Sequence, residues 1–199
     1  MKRIALTGGI GTGKTHVLRL FRQHGIPTLD ADQISRAVVD VGQPSYYLVR
    51  NRFEDDYFFA NGQLNRALLA QLVFTNQTAR ADLEAIVHPA VRRLIDDWFT
   101  RCEDSGAHHI AIAEIPLLFE TNRTEAFDEV VVVSCTPAKQ ISRVMKRDNL
   151  SEDEAQQRLA AQLPIADKMS ASSWVIRTDG SNPATAKQVE RFSIALQTA

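Results

Sequence analysis

Eight residues near the start of the chain, Gly8-Gly9-Ile10-Gly11-Thr12-Gly13-Lys14-Thr15, combine four glycines with a lysine and two hydroxyls. The spacing is that of a phosphate-binding loop, G-x-x-x-x-G-K-[ST]. Glycines let successive backbone N–H groups turn into one concavity that receives phosphate oxygens. The following helix adds the partial positive charge of its N-terminus. Lys14 reaches the β- and γ-phosphates, and the Thr15 hydroxyl suits Mg²⁺. A chance match costs roughly 4 × 10⁻⁵ per position at ordinary residue frequencies. The match also lies between an apolar run and an amphipathic segment, the context this chemistry requires.

Other reactive residues form a second tier. Asp30 and Asp32 follow an apolar segment: one carboxylate takes a proton from an acceptor hydroxyl or holds Mg²⁺-bound water, or Asp32 simply caps the helix beginning at Gln33. Glu114 ends another apolar run and either associates with Mg²⁺ through water or holds a loop amide. Lys139, Arg143, Lys146 and Arg147 follow one another at helical spacing without an intervening acid. They make either a lid whose arginines close on a triphosphate or a solvated basic face. His88-Pro89, between two expected helices, reads as structural on its own.

These residues need a frame. Short apolar runs at 3–7, 26–30, 109–115, 129–134 and 173–177 alternate with helical patterns, so the expected fold is α/β, a parallel sheet with crossover helices. The β-branched run Val130 to Val133 predicts a strand buried on both faces. Helices are expected from Gly13 to His24, ended by Gly25, and from Pro183 to Leu196. From Ala31 to Gly106 no strand is evident. That stretch is too long for a simple crossover and reads as a helical insert.

With 23 basic and 24 acidic residues the net charge is −1, which excludes global attraction to nucleic acid or anionic lipid. No apolar stretch approaches a membrane span, and the apolar run after Met1-Lys2-Arg3 is too short for a signal peptide. A cytoplasmic protein, monomer or small homo-oligomer, is expected, with Cys102 and Cys135 reduced.

Taken in series, Leu6 through Thr15, Gly25 through Asp32, Asn65-Arg66, His88-Pro89, Ile115 through Glu120, Gln140 to Arg147, and Ala161-Gln162-Leu163-Pro164 with Lys168 resemble the dephospho-CoA kinase family over nearly the whole chain. The resemblance implies a three-layer P-loop NTPase fold: a core at about 1–35 and 107–199, an acceptor-binding insert at about 36–106, and a lid at about 136–168. It implies ATP and Mg²⁺ as cofactors, and transfer of the γ-phosphate to the ribose 3′-hydroxyl of dephospho-CoA. Nucleotide contacts then fall on Gly9, Gly11, Thr12, Gly13, Lys14, Thr15 and His16, and acceptor contacts on Asp32, Arg66, His88, Pro116, Leu117, Leu118 and Glu120. Asp32 becomes the base, with Lys14, Arg143 and Arg147 serving the transfer and Thr15 the metal, assisted by Asp32 or Glu114 through water. Val175 to Gly180 departs from the family's asparagine-rich pattern near the adenine. Two competing readings are another small-molecule kinase, of shikimate or nucleoside type, and a nucleotide-dependent binding switch.

Overall fold

The computed structural model describes residues 1–197 and divides into two compact units, Met1–Asp30 with Phe99–Ala199, and Ala31–Trp98. In the first unit β1 (Lys2–Gly8), β2 (Thr28–Asp30), β3 (Ile110–Glu114), β4 (Glu129–Ser134) and β5 (Trp174–Arg177) form one parallel sheet in the order β2-β3-β1-β4-β5. Central position follows from sequence. Ile110 through Glu114 are all buried, as are Val130 through Val133, so neither strand has a face to offer water. Trp174 and Arg177 of β5, at the sheet's edge, are exposed.

The second strand is shorter than the apolar run 26–30 suggests. Pro27 has no N–H for the ladder and contributes only its carbonyl, which accepts from Ile112 N–H at 3.0 Å. Helix α1 (Lys14–Gln23) buries Val17, Leu18 and Phe21. They join Ile4, Leu6, Ile112, Val131 and Val133 in one core, with Val189, Phe192 and Leu196 of the C-terminal helix (Asn182–Gln197). Gly25, at φ 74°, ends the first helix as its position predicts.

The second unit holds α2 (Ala31–Ala37), α3 (Pro44–Arg52), α4 (Arg66–Thr75) and the first part of α5 (Gln77–Asp104). Among the described residues its one strand-like pairing is a bridge between Phe58 and Leu64. Val38, Val39, Val49, Phe53, Leu64, Leu69, Ala79 and Val87 make its own core. Asn65 caps α4, its side chain accepting from Leu68 N–H at 3.2 Å.

The expectation of two helices meeting at His88-Pro89 is corrected: α5 runs unbroken through Pro89 for 28 residues. A proline inside a helix removes one hydrogen bond and crowds the preceding turn. Leu83, Ile86 and Val87 before it and Ala90 and Val91 after it pack on the same core, which holds both halves in register. His88 therefore lies in a helix interior and caps nothing.

The chain then continues through α6 (Pro137–Asp148), α7 (Glu152–Ala160) and α8 (Ile165–Ser170), and α9 is the C-terminal helix. Among the described residues no helix is long and apolar enough to cross a membrane. Cys102 and Cys135 are both free thiols.

Candidate active site

The loop 8–13 leaves the carboxyl end of β1, between β3 and β4 in the sheet. In open parallel sheets ligands bind at that end. Backbone conformation and crowding both demand glycine here. Gly11 has φ 74° and Gly13 φ 90°, and a Cβ on Gly11 would lie 2.7 Å from the Gln140 carbonyl oxygen. A Cβ on Gly8 would meet Val133 O at 2.3 Å.

Helix α1 begins directly on this loop. Among the described residues no side chain caps it and its first turn holds no acid, so no carboxylate offsets the positive end of its dipole at the loop. The His16 and Val17 amides bond back to Gly13 O, and the Thr12 hydroxyl donates to Gly9 O at 2.8 Å. Lys14 Nζ donates to Gly8 O at 3.3 Å and Gly9 O at 3.2 Å, which lays its ammonium along the loop. His16 has its pKa held below the ordinary value, first by burial and then by the charges of Arg19 and Arg143. Its Nδ1 accepts from Arg19 at 3.1 Å, so the ring is neutral and carries its proton on Nε2.

The basic face of α6 is not uniformly solvated. Arg143 reaches the loop, donating to Gly11 O at 3.1 Å and to the hydroxyl and carbonyl oxygens of Thr178 at 3.0 and 2.9 Å. Lys139 donates to Asp179 O, whereas Lys146 is exposed. Thr178 also donates to Thr12 O at 2.6 Å, and Asp179 Oδ1 accepts from Thr136 N–H at 2.7 Å. The segment after β5 thus buttresses the loop. Arg147 sits apart: Asp148 holds it by two bonds of 2.8 and 2.9 Å, and Arg158 binds the same carboxylate at 2.7 Å.

At the ends of β2 and β3, Asp30 and Glu114 are register partners, and Glu114 is 6% exposed. The loop that follows is tied down by Leu118, fully buried, and by the Thr7 hydroxyl donating to Pro116 O at 3.3 Å. Leu117 is exposed. Glu120 Oε1 accepts from Leu163 N–H at 3.1 Å and lies 2.6 Å from Nζ of Lys168, whose side chain is fully buried. Burial pushes the Glu120 carboxyl up, but the Lys168 bond and the backbone N–H groups outweigh it and hold its pKa below the ordinary glutamate value.

The second unit carries a cavity of about 370 Å³ with a largely apolar lining that includes Val39, Leu64, Leu69 and Val87, and with Arg36, Arg66, Glu84 and His88 among its polar residues. Arg66 is held in place by Arg36 O at 2.7 Å and Asp40 Oδ1 at 2.8 Å. An apolar body with a few convergent charges suits a ligand carrying both an apolar arm and anionic groups. Asp32 is exposed in the first turn of α2, two residues beyond the end of β2, inside the helix rather than at its cap.

The first unit therefore gathers residues 8–16 with Arg143, and the second gathers Arg66 with His88. Sequence reasoning did not assign Gln140, Gln162, Thr178 or Arg36. For Gln140 a signal existed in its position one turn before Arg143 on α6. Thr178 and Gln162 are more than 140 residues from the loop they touch and carry no local signal.

The sequence model described as dephospho-CoA kinase matches residues 2–184. Dephospho-CoA kinase of Bacillus anthracis is 39% identical over 187 residues, covering 94% of this chain and 93% of its own. That of Bdellovibrio bacteriovorus is 40% identical over 191 residues, covering 96% and 94%. A solved Thermus thermophilus structure superposes with a TM-score of 0.79 at 31% identity, covering 98% of this chain and 96% of the other.

Proposed function

The chain belongs to the dephospho-CoA kinase family, and from that premise we propose that it transfers the γ-phosphoryl group of ATP to the ribose 3′-hydroxyl of dephospho-CoA, releasing coenzyme A and ADP. The observation that carries this reading is the uncapped, acid-free start of α1 inside a glycine loop, with Lys14 laid along it. Loop amides and the helix terminus bind the β- and γ-phosphates, and Lys14 spreads the charge that moves onto the bridging oxygen. Arg143 holds the loop's shape from α6 and adds positive charge beside it.

Mg²⁺ fits the donor set at this end of the sheet. The Thr15 hydroxyl and the Asp30 and Glu114 carboxylates are hard oxygen donors, and among the described residues there is no cluster of three ligating side chains that would enclose the ion. Thr15 would hold the ion directly, with Glu114 or Asp32 acting through water, and the ion would supply charge neutralisation between the two terminal phosphates.

Asp32 orients the acceptor hydroxyl and accepts its proton late in a loose transition state, for which an ordinary carboxylate suffices. The cavity of the second unit takes the acceptor, its apolar wall receiving the pantetheine arm and Arg36, Arg66 and His88 its anionic and polar groups. Arg147, released from Asp148, closes on the phosphates. An ATP-coupled assay with dephospho-CoA, followed by identification of the phosphorylated carbon, tests the proposal. Phosphate on the ribose 3′-position is the expected product, and ATP turnover confined to water or to another alcohol refutes it.

A further inference from the structure

Two peptide planes of the phosphate loop meet at Ile10, and each is gripped by a glutamine that the loop motif does not contain. The Ile10 N–H donates to Gln162 Oε1 at 2.8 Å, and the Ile10 carbonyl accepts from Gln140 Nε2 at 2.7 Å. The peptide decides which end of each amide side chain faces it, because an N–H requires the oxygen and a carbonyl requires the NH₂.

A trans peptide is planar, with its N–H and C=O pointing opposite ways. Pinning the Ile10 N–H outward on Gln162 therefore turns Gly9 C=O the other way, where it accepts from Lys14 Nζ at 3.2 Å and the Thr12 hydroxyl at 2.8 Å. Pinning the Ile10 carbonyl on Gln140 likewise directs the Gly11 N–H away from α6. Gln140 is 4% exposed and so close to the loop that a Cβ on Gly9 would sit 2.5 Å from its Nε2. Gln162 lies in the turn between α7 and α8, and that turn has its own anchor: the Leu163 N–H and the buried Lys168 both engage Glu120.

We propose that Gln162 and Gln140 are positioning residues that orient the two peptides flanking Ile10, one to seat Lys14 and the other to aim the Gly11 N–H at a nucleotide phosphate, with Glu120–Lys168 holding the Gln162 turn in place. The proposal rests on the reading of this loop as the ATP site. The two glutamines play opposite chemical roles: position 162 needs an acceptor and position 140 a donor.

The test uses the full chain, amide exchange at Ile10 without nucleotide, and ATP affinity by calorimetry. Gln162→Met is expected to speed Ile10 exchange about tenfold and to weaken ATP binding about 3–10-fold, the worth of one hydrogen bond. Gln162→Glu keeps an acceptor oxygen and is expected to retain Ile10 protection. Gln140→Glu loses its donor and is expected to weaken ATP binding at least as much as Gln140→Met. Wild-type exchange and affinity in Gln162→Met, or Gln162→Glu exchanging as fast as Gln162→Met, overturns the proposal. Because Gln140 is buried, the partly exposed Gln162 pair carries the decision if the Gln140 variants fail to fold. Failure of the wild-type protein to bind ATP would instead overturn the functional reading, and the Ile10 exchange pattern distinguishes the two.

Discussion

The phosphate loop of the first unit and the cavity of the second are built from different materials. Under the proposed function the loop is mainly a main-chain site, with peptide N–H groups and a helix terminus facing the nucleotide beside the Lys14 and Thr15 side chains. Side chains such as Arg143, Gln140, Gln162 and Thr178 serve to hold the backbone. The cavity is a side-chain site, an apolar wall of Val39, Leu64, Leu69 and Val87 with charges placed by α2, α4 and α5. A peptide presents the same atoms whatever its side chain, so a main-chain site constrains only where glycine must stand. A side-chain site can be rebuilt one residue at a time for a different ligand.

That contrast is exposed to mutation. The largest expected effect is at Asp32: Asp32→Asn lowers kcat by roughly 10²–10⁴-fold, the worth of a general base, while calorimetry shows ATP affinity unchanged. Weakened ATP binding with intact turnover would remove Asp32 from the acceptor side of the comparison. Lys14→Ala follows, costing roughly 10²–10³-fold in kcat and weakening ATP binding as well, because the lysine serves both ground and transition states. Steady-state kinetics with each substrate varied separates the two losses.

Arg66→Ala belongs wholly to the second site and should raise KM for dephospho-CoA by about 10–100-fold, the loss of one charged hydrogen bond, with KM for ATP unaltered. Equal rises in both constants would show that the two sites are not separable. The smallest effect is in pH dependence. The Glu120 carboxyl has its pKa lowered in the folded protein, so its stabilisation is full above the ordinary glutamate range and is lost as pH falls through the lowered value. Thermal melts of wild type and Glu120→Gln should therefore differ at neutral pH and converge in acid. A constant gap across that window would show that the carboxylate's charge contributes nothing.

The uneven legibility of the two sites follows from the same contrast. Residues 8–15 were readable because the chemistry is local: consecutive peptides make the cradle, and the flanking strand and helix are visible as apolar periodicity. Val130 to Val133 read as a buried strand for a similar reason. Pro89 misled, since a proline's local penalty is visible in sequence while the packing of Leu83, Ile86, Val87, Ala90 and Val91 that outweighs it is not. Pro27 shortened β2 for a local reason that a count of apolar residues overlooks. Spacing places Lys139, Arg143 and Lys146 on one face of α6 with Arg147 beside them, yet Arg143 is drawn to Thr178 and Gly11, and Arg147 to Asp148.

By itself the amino-acid order determined the phosphate cradle, the parallel α/β class and the family, because each is written in near neighbours and in a series of motifs along the chain. Only tertiary structure decided which side chains grip the cradle, that Glu120 is engaged by Lys168 and Leu163, and that Arg36, Arg66 and His88 share one cavity. Those are meetings between residues separated by tens of positions or more, and their partners are chosen by strand order and helix packing.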